Sequence, residues 1–427
     1  MVNQIKETIT YYTRHNFLLN RQIARLDLLD SKDPEELRLI KEKEALRMIR
    51  FAAEHSEFYK NLYNGIDLRG SFGEVYASLP EISKADIRDK EEALLTSRAK
   101  MLKKAYTSGT SGSPLNLYRS AGSILKENAY VWQYRKTMGL AVGEKHISMR
   151  GVLDNKTLNY FNKSENALYL SSYLLSRANI KRYAKYIHDF RPKAIVAFPS
   201  SLFTMVNLFE QEGLHAHVPL LFTSSETLYP FQREKIENFF KGRIYDRYST
   251  AERSILLHEC EHGNYHEAPK YSFFEFKDKG VVTTSFINKA FPLIKYRIDD
   301  TFVMMDGPCA CGKGTGVSSI EGRMDDVVVL EDGTRIGRLG VAFQGIPHLR
   351  YAQIIQEKQG EILVNVVTAD GFNNDNQGLL EKKLRQRLNN TLVIRFNKVK
   401  EDDIQKTRSG KFKLVVSKLT QLAIVKN

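Results

Sequence analysis

Residues 106–113, Tyr106-Thr107-Ser108-Gly109-Thr110-Ser111-Gly112-Ser113, set hydroxyl side chains around two glycines, and Pro114 closes the run. Glycines let a backbone approach a bulky anion closely, so its N–H groups point at phosphate oxygens. The hydroxyls add donors without charge. Such a loop suits a nucleoside triphosphate, although it is not the Walker pattern, because no Gly-Lys-Ser/Thr follows. The second set with chemistry in it is the cysteines, of which there are only three: Cys260, Cys309 and Cys311. They fall in two clusters, the first on a stretch that also carries His258, His262 and His266. Three thiolates and one imidazole suit tetrahedral Zn2+, and a site with four protein ligands is structural rather than catalytic. Which histidine is the fourth ligand stays open on spacing alone.

These residues need elements to hold them. A short strand over Lys103–Tyr106 leads into the hydroxyl-rich loop. From residue 179 to 249 the pattern alternates between helix and buried strand. Helices are expected over 181–190, 201–211 and 230–241, and strands over 194–198, 219–222 and 243–245. That alternation argues for a parallel sheet with helices on its faces. Ligands then sit beyond the carboxyl ends of the strands, where Ser224-Ser225-Glu226 and Asp246-Arg247-Tyr248 are expected. Asp33-Pro34-Glu35-Glu36 reads as an N-cap, a first-turn proline and a capping-box glutamate, opening a helix that reaches the region of Tyr59. Past residue 322 the texture changes to strands at 354–357 and 361–367, a basic helix at 379–388 and a strand at 392–396. The expected fold is α/β: a large N-terminal domain (1–324) with parallel-sheet subdomains, joined by a hinge to a small C-terminal α+β domain (325–427).

Composition narrows the class without deciding function. The chain has 427 residues, 42% hydrophobic and 27% charged, as an ordinary globular protein does. No apolar run approaches the roughly 20 residues that span a bilayer, and the first twenty residues lack a signal-peptide segment. A cytoplasmic protein without a disulfide framework is expected. The net charge of +14 favours anionic partners. The charge is spread along the chain, with no basic block beside an aromatic platform, so nucleic acid is not expected as a partner.

Five segments, in order, resemble the motifs of the adenylate-forming superfamily: acyl-CoA synthetases, peptide-synthetase adenylation domains and luciferases. The loop at 106–114 is similar to their phosphate-binding loop. Tyr245-Asp246-Arg247-Tyr248-Ser249-Thr250-Ala251-Glu252 resembles the adenine- and metal-binding motif, and Tyr296-Arg297-Ile298-Asp299-Asp300 the ribose motif. Gly322-Arg323-Met324-Asp325-Asp326 resembles the interdomain hinge. Thr407-Arg408-Ser409-Gly410-Lys411 resembles the C-terminal catalytic-lysine loop. Within the superfamily the chain looks most like the phenylacetate–CoA ligase branch, which includes relatives in capsular polysaccharide biosynthesis. The branch marks are the cysteines, the helical segment ending His55-Ser56-Glu57-Phe58-Tyr59, and Ser113 where many relatives have lysine.

The resemblance implies ATP-dependent activation of a carboxylic acid as an acyl-adenylate, with release of pyrophosphate. The acyl group would then pass to CoA or to an amine or hydroxyl acceptor, including a sugar of a surface polysaccharide. It implies that residues 107–112 hold the triphosphate and that Glu252 ligates Mg2+. Asp300, supported by Arg323, would accept from the ribose hydroxyls. Tyr248 would stack on adenine, Asp246 would accept from its amino group, and Ser225 and Glu226 would line the nucleotide pocket. Lys411 would bridge the α-phosphate and carboxylate oxygens in the transition state, carried in and out by a small domain that rotates about Asp325. The branch pattern favours His266 as the ligand completing Cys260, Cys309 and Cys311. Homodimers are a further expectation. Three departures, Ser113, Ser249 and Ala251, motivate an alternative: a zinc-stabilised basic binding protein that kept the fold and lost catalysis. The acid itself is not legible.

Overall fold

The computed structural model describes residues 18–106, 115–149, 153, 157–172, 174–277, 280–323, 328–331, 335–336, 339–343, 345–386, 388, 392–405 and 413–419. The phosphate-loop residues 107–114, the hinge residue Asp325 and Lys411 lie outside them, as does the side chain of Arg323.

Near the N-terminus the caps decide the helices. Asp33 accepts from the backbone N–H groups of Glu35 and Glu36 at 2.8 and 3.4 Å, and Pro34 opens the helix Pro34–His55. Glu36, expected to close a capping box, pairs instead with Lys32. The helix also stops short of Tyr59. Ser56 breaks it, donating to the Ala93 carbonyl and accepting from Tyr59 N as cap of a new helix, Glu57–Leu62.

The central sheet has ten strands, numbered here in chain order: β1 His146–Met149, β2 Asn159–Asn162, β3 Ala167–Leu170, β4 Ala194–Ala197, β5 Leu220–Ser224, β6 Arg243–Ser249, β7 Leu256–Glu259, β8 Tyr265–Glu267, β9 Asp300–Met304 and β10 Val317–Arg323. Their spatial order is β9-β10-β8-β7-β6-β5-β4-β1-β3-β2. The run β3-β1-β4-β5-β6 is parallel, as the alternating pattern predicts. Antiparallel strands extend it on both sides, making the whole sheet mixed. Alternate residues feed two cores. Ile195, Leu221 and Ile244 pack under the helices Ile180–Phe190, Pro199–Gln211 and Pro230–Phe240. Val196 and Phe222 face the other way, toward the helices Leu18–Asp30 and Ala121–Thr137. Burial on both faces is what makes these strands continuous apolar runs.

One boundary differs from the sequence reading in a way that matters. Asp246, Arg247 and Tyr248 do not lie beyond the end of β6 but within it. After Arg247 the strand outlasts its parallel partner β5, and antiparallel pairing to β7 (Arg247 with His258, Tyr248 with Leu257, Ser249 with Leu256) carries it on to Ser249.

The C-terminal part forms a separate four-stranded sheet in the order 393–398, 361–368, 349–358, 415–417. The helix Asn374–Arg385 covers it over a core that includes Ile354, Val364, Leu380 and Leu384. That helix begins five residues before the position expected, because Asn373 caps it, accepting from Asn376 N at 3.1 Å. A large α/β part with a smaller α+β part is therefore the architecture. Among the described residues no helix is long and apolar enough to cross a membrane.

Candidate functional site

Two turns bring the cysteines together. The hairpin between β7 and β8 closes with Cys260 N donating to the Asn264 carbonyl (2.8 Å) and Gly263 N to that of Cys260 (3.0 Å). The loop before β10 closes likewise, Cys309 N on Gly314 O and Gly312 N on Cys309 O, with Gly263, Gly312 and Gly314 all at positive φ. Cys260, His266, Cys309 and Cys311 then present ligand atoms within 4.8 Å of one another. Cys260 Sγ and Cys309 Sγ are 3.7 Å apart, and Cys311 Sγ lies 3.2 Å from His266 Nε2. A disulfide needs its sulfurs at about 2.0 Å, whereas tetrahedral Zn–S bonds of about 2.3 Å set sulfurs roughly 3.8 Å apart. The donor set thus fits zinc in number, chemistry and spacing. The His266 ring rests on Gly316, where a Cβ would come within 2.8 Å of its Nδ1. Burial pushes the Cys311 thiol up to about 12, and a bound cation would favour its thiolate form. Of the other two histidines, His258 is stacked on Tyr134 with ring centroids 4.2 Å apart, and His262 is half-exposed beside Glu261. Neither joins the cluster.

The nucleotide-type residues divide into two groups. Tyr248 donates to Asp300, and the backbone of Asp300 is opposite Arg323 in the β9–β10 pairing. These three are brought together. Glu252, in the turn after β6, accepts from Tyr296 OH at 3.4 Å through Oε1. Its buried Oε2 has no hydrogen-bond partner among the described residues. A buried carboxylate oxygen left unpaired is costly, and it fits a hard cation.

Asp246, Ser225 and Glu226 are placed differently. Asp246 is buried, with Oδ1 accepting from Thr223 at 2.6 Å and Oδ2 from Tyr265 at 2.8 Å. Both carboxylate oxygens are engaged by the protein, which ties β6 to Thr223 on β5 and Tyr265 on β8. Glu226 reaches the backbone N–H of Ser200 at 3.0 Å and so caps the helix Pro199–Gln211. Ser225 takes the left-handed turn that ends β5, at φ 73°.

The sequence reading missed the network behind Asp246. Glu259 Oε2 accepts from Asp246 N at 2.6 Å, Arg233 binds Glu259 Oε1 at 2.5 Å, and Tyr134 OH bridges the carbonyls of Asp246 and Glu259. Arg233 and Glu259 sit in helix-like and strand-like patterns with no local mark. Tyr296 was missed too, although it opens the ribose-type segment.

With this geometry in hand, comparison with known proteins is informative. Residues 328–418 match the family model of the CapK C-terminal domain. Protein CapK of Staphylococcus aureus is 24% identical over 305 residues, covering 68% of this chain and 66% of that protein. Indoleacetate–lysine synthetase of Pseudomonas savastanoi is 22% identical over 211 residues, covering 46% and 52%. The matches thus span just under two thirds and about half of these relatives' own lengths. The crystal structure of 2-hydroxyisobutyryl-CoA ligase in the postadenylation state aligns over 90% of both chains, with a TM-score of 0.70 and 17% identity. By fold, the chain is similar to 2-hydroxyisobutyryl-CoA ligase, and its C-terminal part is similar to the CapK C-terminal domain.

Proposed function

We propose that this chain activates a carboxylic acid with ATP: a carboxylate oxygen attacks the α-phosphorus, and pyrophosphate leaves. The observation that carries the reading is the unpaired, buried oxygen of Glu252, set one turn after the strand whose Tyr248 meets Asp300. In this reading Glu252 holds Mg2+, which supplies positive charge to the triphosphate. Asp300 and Arg323 address the ribose, Tyr248 stacks on the base, and Ser225 with Glu226 shapes the floor of the nucleotide pocket. Residues 107–112 cradle the phosphates. Lys411 is the transition-state cation, delivered by a C-terminal domain (325–427) that turns about Asp325 on the larger domain (1–324). Asp246 acts through its network by fixing β6, and the four-ligand cluster holds a structural Zn2+ that locks the β7–β8 hairpin to the loop before β10.

The acyl group then passes to an acceptor. The solved relative is a CoA ligase and one curated relative joins indoleacetate to lysine, so CoA and an amine are both supported acceptor classes. The resemblance to the phenylacetate–CoA ligase branch adds a hydroxyl or amine on a surface-polysaccharide sugar as a third. We place the chain in the phenylacetate–CoA ligase branch on its cysteine pattern and Ser113, working in the cytoplasm.

Acid-dependent exchange of pyrophosphate into ATP, across a panel of carboxylic acids, tests the first step. Exchange that requires an acid and collapses in Lys411→Ala is the expected result. An enzyme that binds no ATP, with or without acid, would sink the reading in favour of a catalytically inactive binding protein.

A further inference from the structure

A cluster of partly buried arginines lies beside Glu252, and neither the zinc site nor the Tyr248–Asp300 pair uses it. Glu127, on the helix Ala121–Thr137, faces Arg247 and Arg253 at 3.8 and 3.9 Å. Neither arginine forms the close fork that a committed arginine–carboxylate pair makes at about 2.7–2.9 Å. Glu127 Oε2 instead accepts from Tyr271 OH at 2.5 Å. Arg253 donates to the Ser123 carbonyl (3.1 Å), and Arg119 to that of Ala251 (2.7 Å), the residue before Glu252. Arg247 Nη1 is buried with no hydrogen-bond partner among the described residues. The Arg247 side chain is 11% exposed and those of Arg253 and Glu127 are each 14% exposed.

Two guanidiniums thus stand off from one carboxylate, and that of Arg119 lies within electrostatic reach of Arg253 and Glu127. Burial and the Arg253 charge bring Arg119 down to about 10. Several guanidiniums sharing one carboxylate at a distance, and an unsatisfied buried N–H, are both costly, and an anionic ligand would complete the set. The place also fits. Arg247 lies opposite Ser224 at the carboxyl end of β5, where open parallel sheets bind their ligands.

We propose that Arg119, Arg247 and Arg253 form an oxyanion pocket for a phosphate or carboxylate group, with Glu127 as the competing anion that spaces them. This deepens the adenylation reading and rests on it only for the source of the anion. One source is the nucleotide's phosphates, for which the hydroxyl-rich loop at 107–113 provides no cation. The other is a second anionic group on the acid.

Titration of the full-length chain with inorganic pyrophosphate and, separately, malonate tests the pocket without acid activation or turnover. Wild type is expected to bind at least one of them. Arg247→Gln should weaken that binding at least about tenfold, because a charge-assisted donor is lost. Arg247→Lys should fall between the two, and Glu127→Gln should tighten it. Pyrophosphate as the responding probe assigns the pocket to the nucleotide, and malonate alone assigns it to the acid. Binding of neither anion by wild type, or variants that change the melting temperature but not anion affinity, would overturn the proposal. Loss of pyrophosphate exchange with Arg247-dependent anion binding intact would count against adenylation alone.

Discussion

The Tyr248 hydroxyl donates to the Asp300 carboxylate, although three strands separate β6 from β9 in the sheet. The sheet must therefore curl to bring its antiparallel edge back toward the parallel core. Phe302 braces the contact, its ring edge-on to Tyr248 at 5.3 Å and 90°. Under the proposed function, the phenol and a ribose would address the same carboxylate. Tyr248→Phe is thus expected to cost about 1 kcal/mol of stability and to leave ATP affinity within a few-fold. Asp300→Ala should weaken ATP binding about tenfold or more, since hydrogen bonds to a charged group are the stronger kind. Isothermal titration of ATP into the two variants checks the order. Equal losses would mean that the pair is only a structural tie.

The cysteine cluster makes a composition prediction. Purified protein should carry one zinc per chain by elemental analysis. Cys309→Ser should lose it and lower the melting temperature, because the metal would add a four-ligand tie between the β7–β8 hairpin and the loop before β10 to the short β8–β10 pairing. His258→Ala and His262→Ala should keep the metal, and His266→Ala should not. Retention of zinc in His266→Ala would remove the assignment of the fourth ligand.

An ion pair with a buried carboxylate holds β6, Glu259 accepting from Asp246 N and pairing with Arg233. Glu259 is 2% exposed, and burial pushes its carboxyl up, while Arg233 at 2.5 Å opposes that shift. Arg233→Met leaves the carboxylate without its counter-charge and should cost about 3–5 kcal/mol in denaturant unfolding. The double variant with Glu259→Gln should recover part of the loss. A single variant within 1 kcal/mol of wild type, a threshold on the order of one ordinary hydrogen bond, would show the pair to be dispensable.

Local patterns made much of this legible. Apolar runs such as Ala194–Ala197 and Leu220–Ser224, separated by helical spacing, are written into the sequence because both faces of the parallel strands are buried. The three cysteine ligands were legible because cysteine is rare here and falls in two tight clusters, whereas His266 was favoured over His258 and His262 only by the branch resemblance. What the sequence could not tell is which polar residues face the protein and which face a ligand. Asp246 and Tyr248 are two apart on β6 and share a face, yet Asp246 is locked by Thr223 and Tyr265, partners distant in sequence. The extension of β6 through Ser249 depends on pairing with β7, a tertiary fact that no local propensity carries. The arginine cluster was hidden for the same reason, its members lying at 119, 247 and 253.

The contact between the two parts of the chain supports a last prediction. Tyr351, on the strand Leu349–Lys358, hydrogen-bonds Thr204 on the helix Pro199–Gln211 and sets its ring edge-on to Phe203 at 5.2 Å. Val367 and Ile404 join it in the core of the larger part. Tyr351 thus belongs by chain to the C-terminal sheet and by packing to the parallel-sheet core. Truncation of a buried aromatic costs about 3–5 kcal/mol, and here that loss should fall on docking rather than on either fold. In Tyr351→Ala, hydrogen exchange should speed up along residues 199–209, while the strand Glu361–Thr368 keeps its protection. Tyr351→Phe, which keeps the ring and loses only the hydroxyl, should show a smaller change in the same place. Loss of protection in both segments would mean that Tyr351 supports the C-terminal core instead of holding the two parts together.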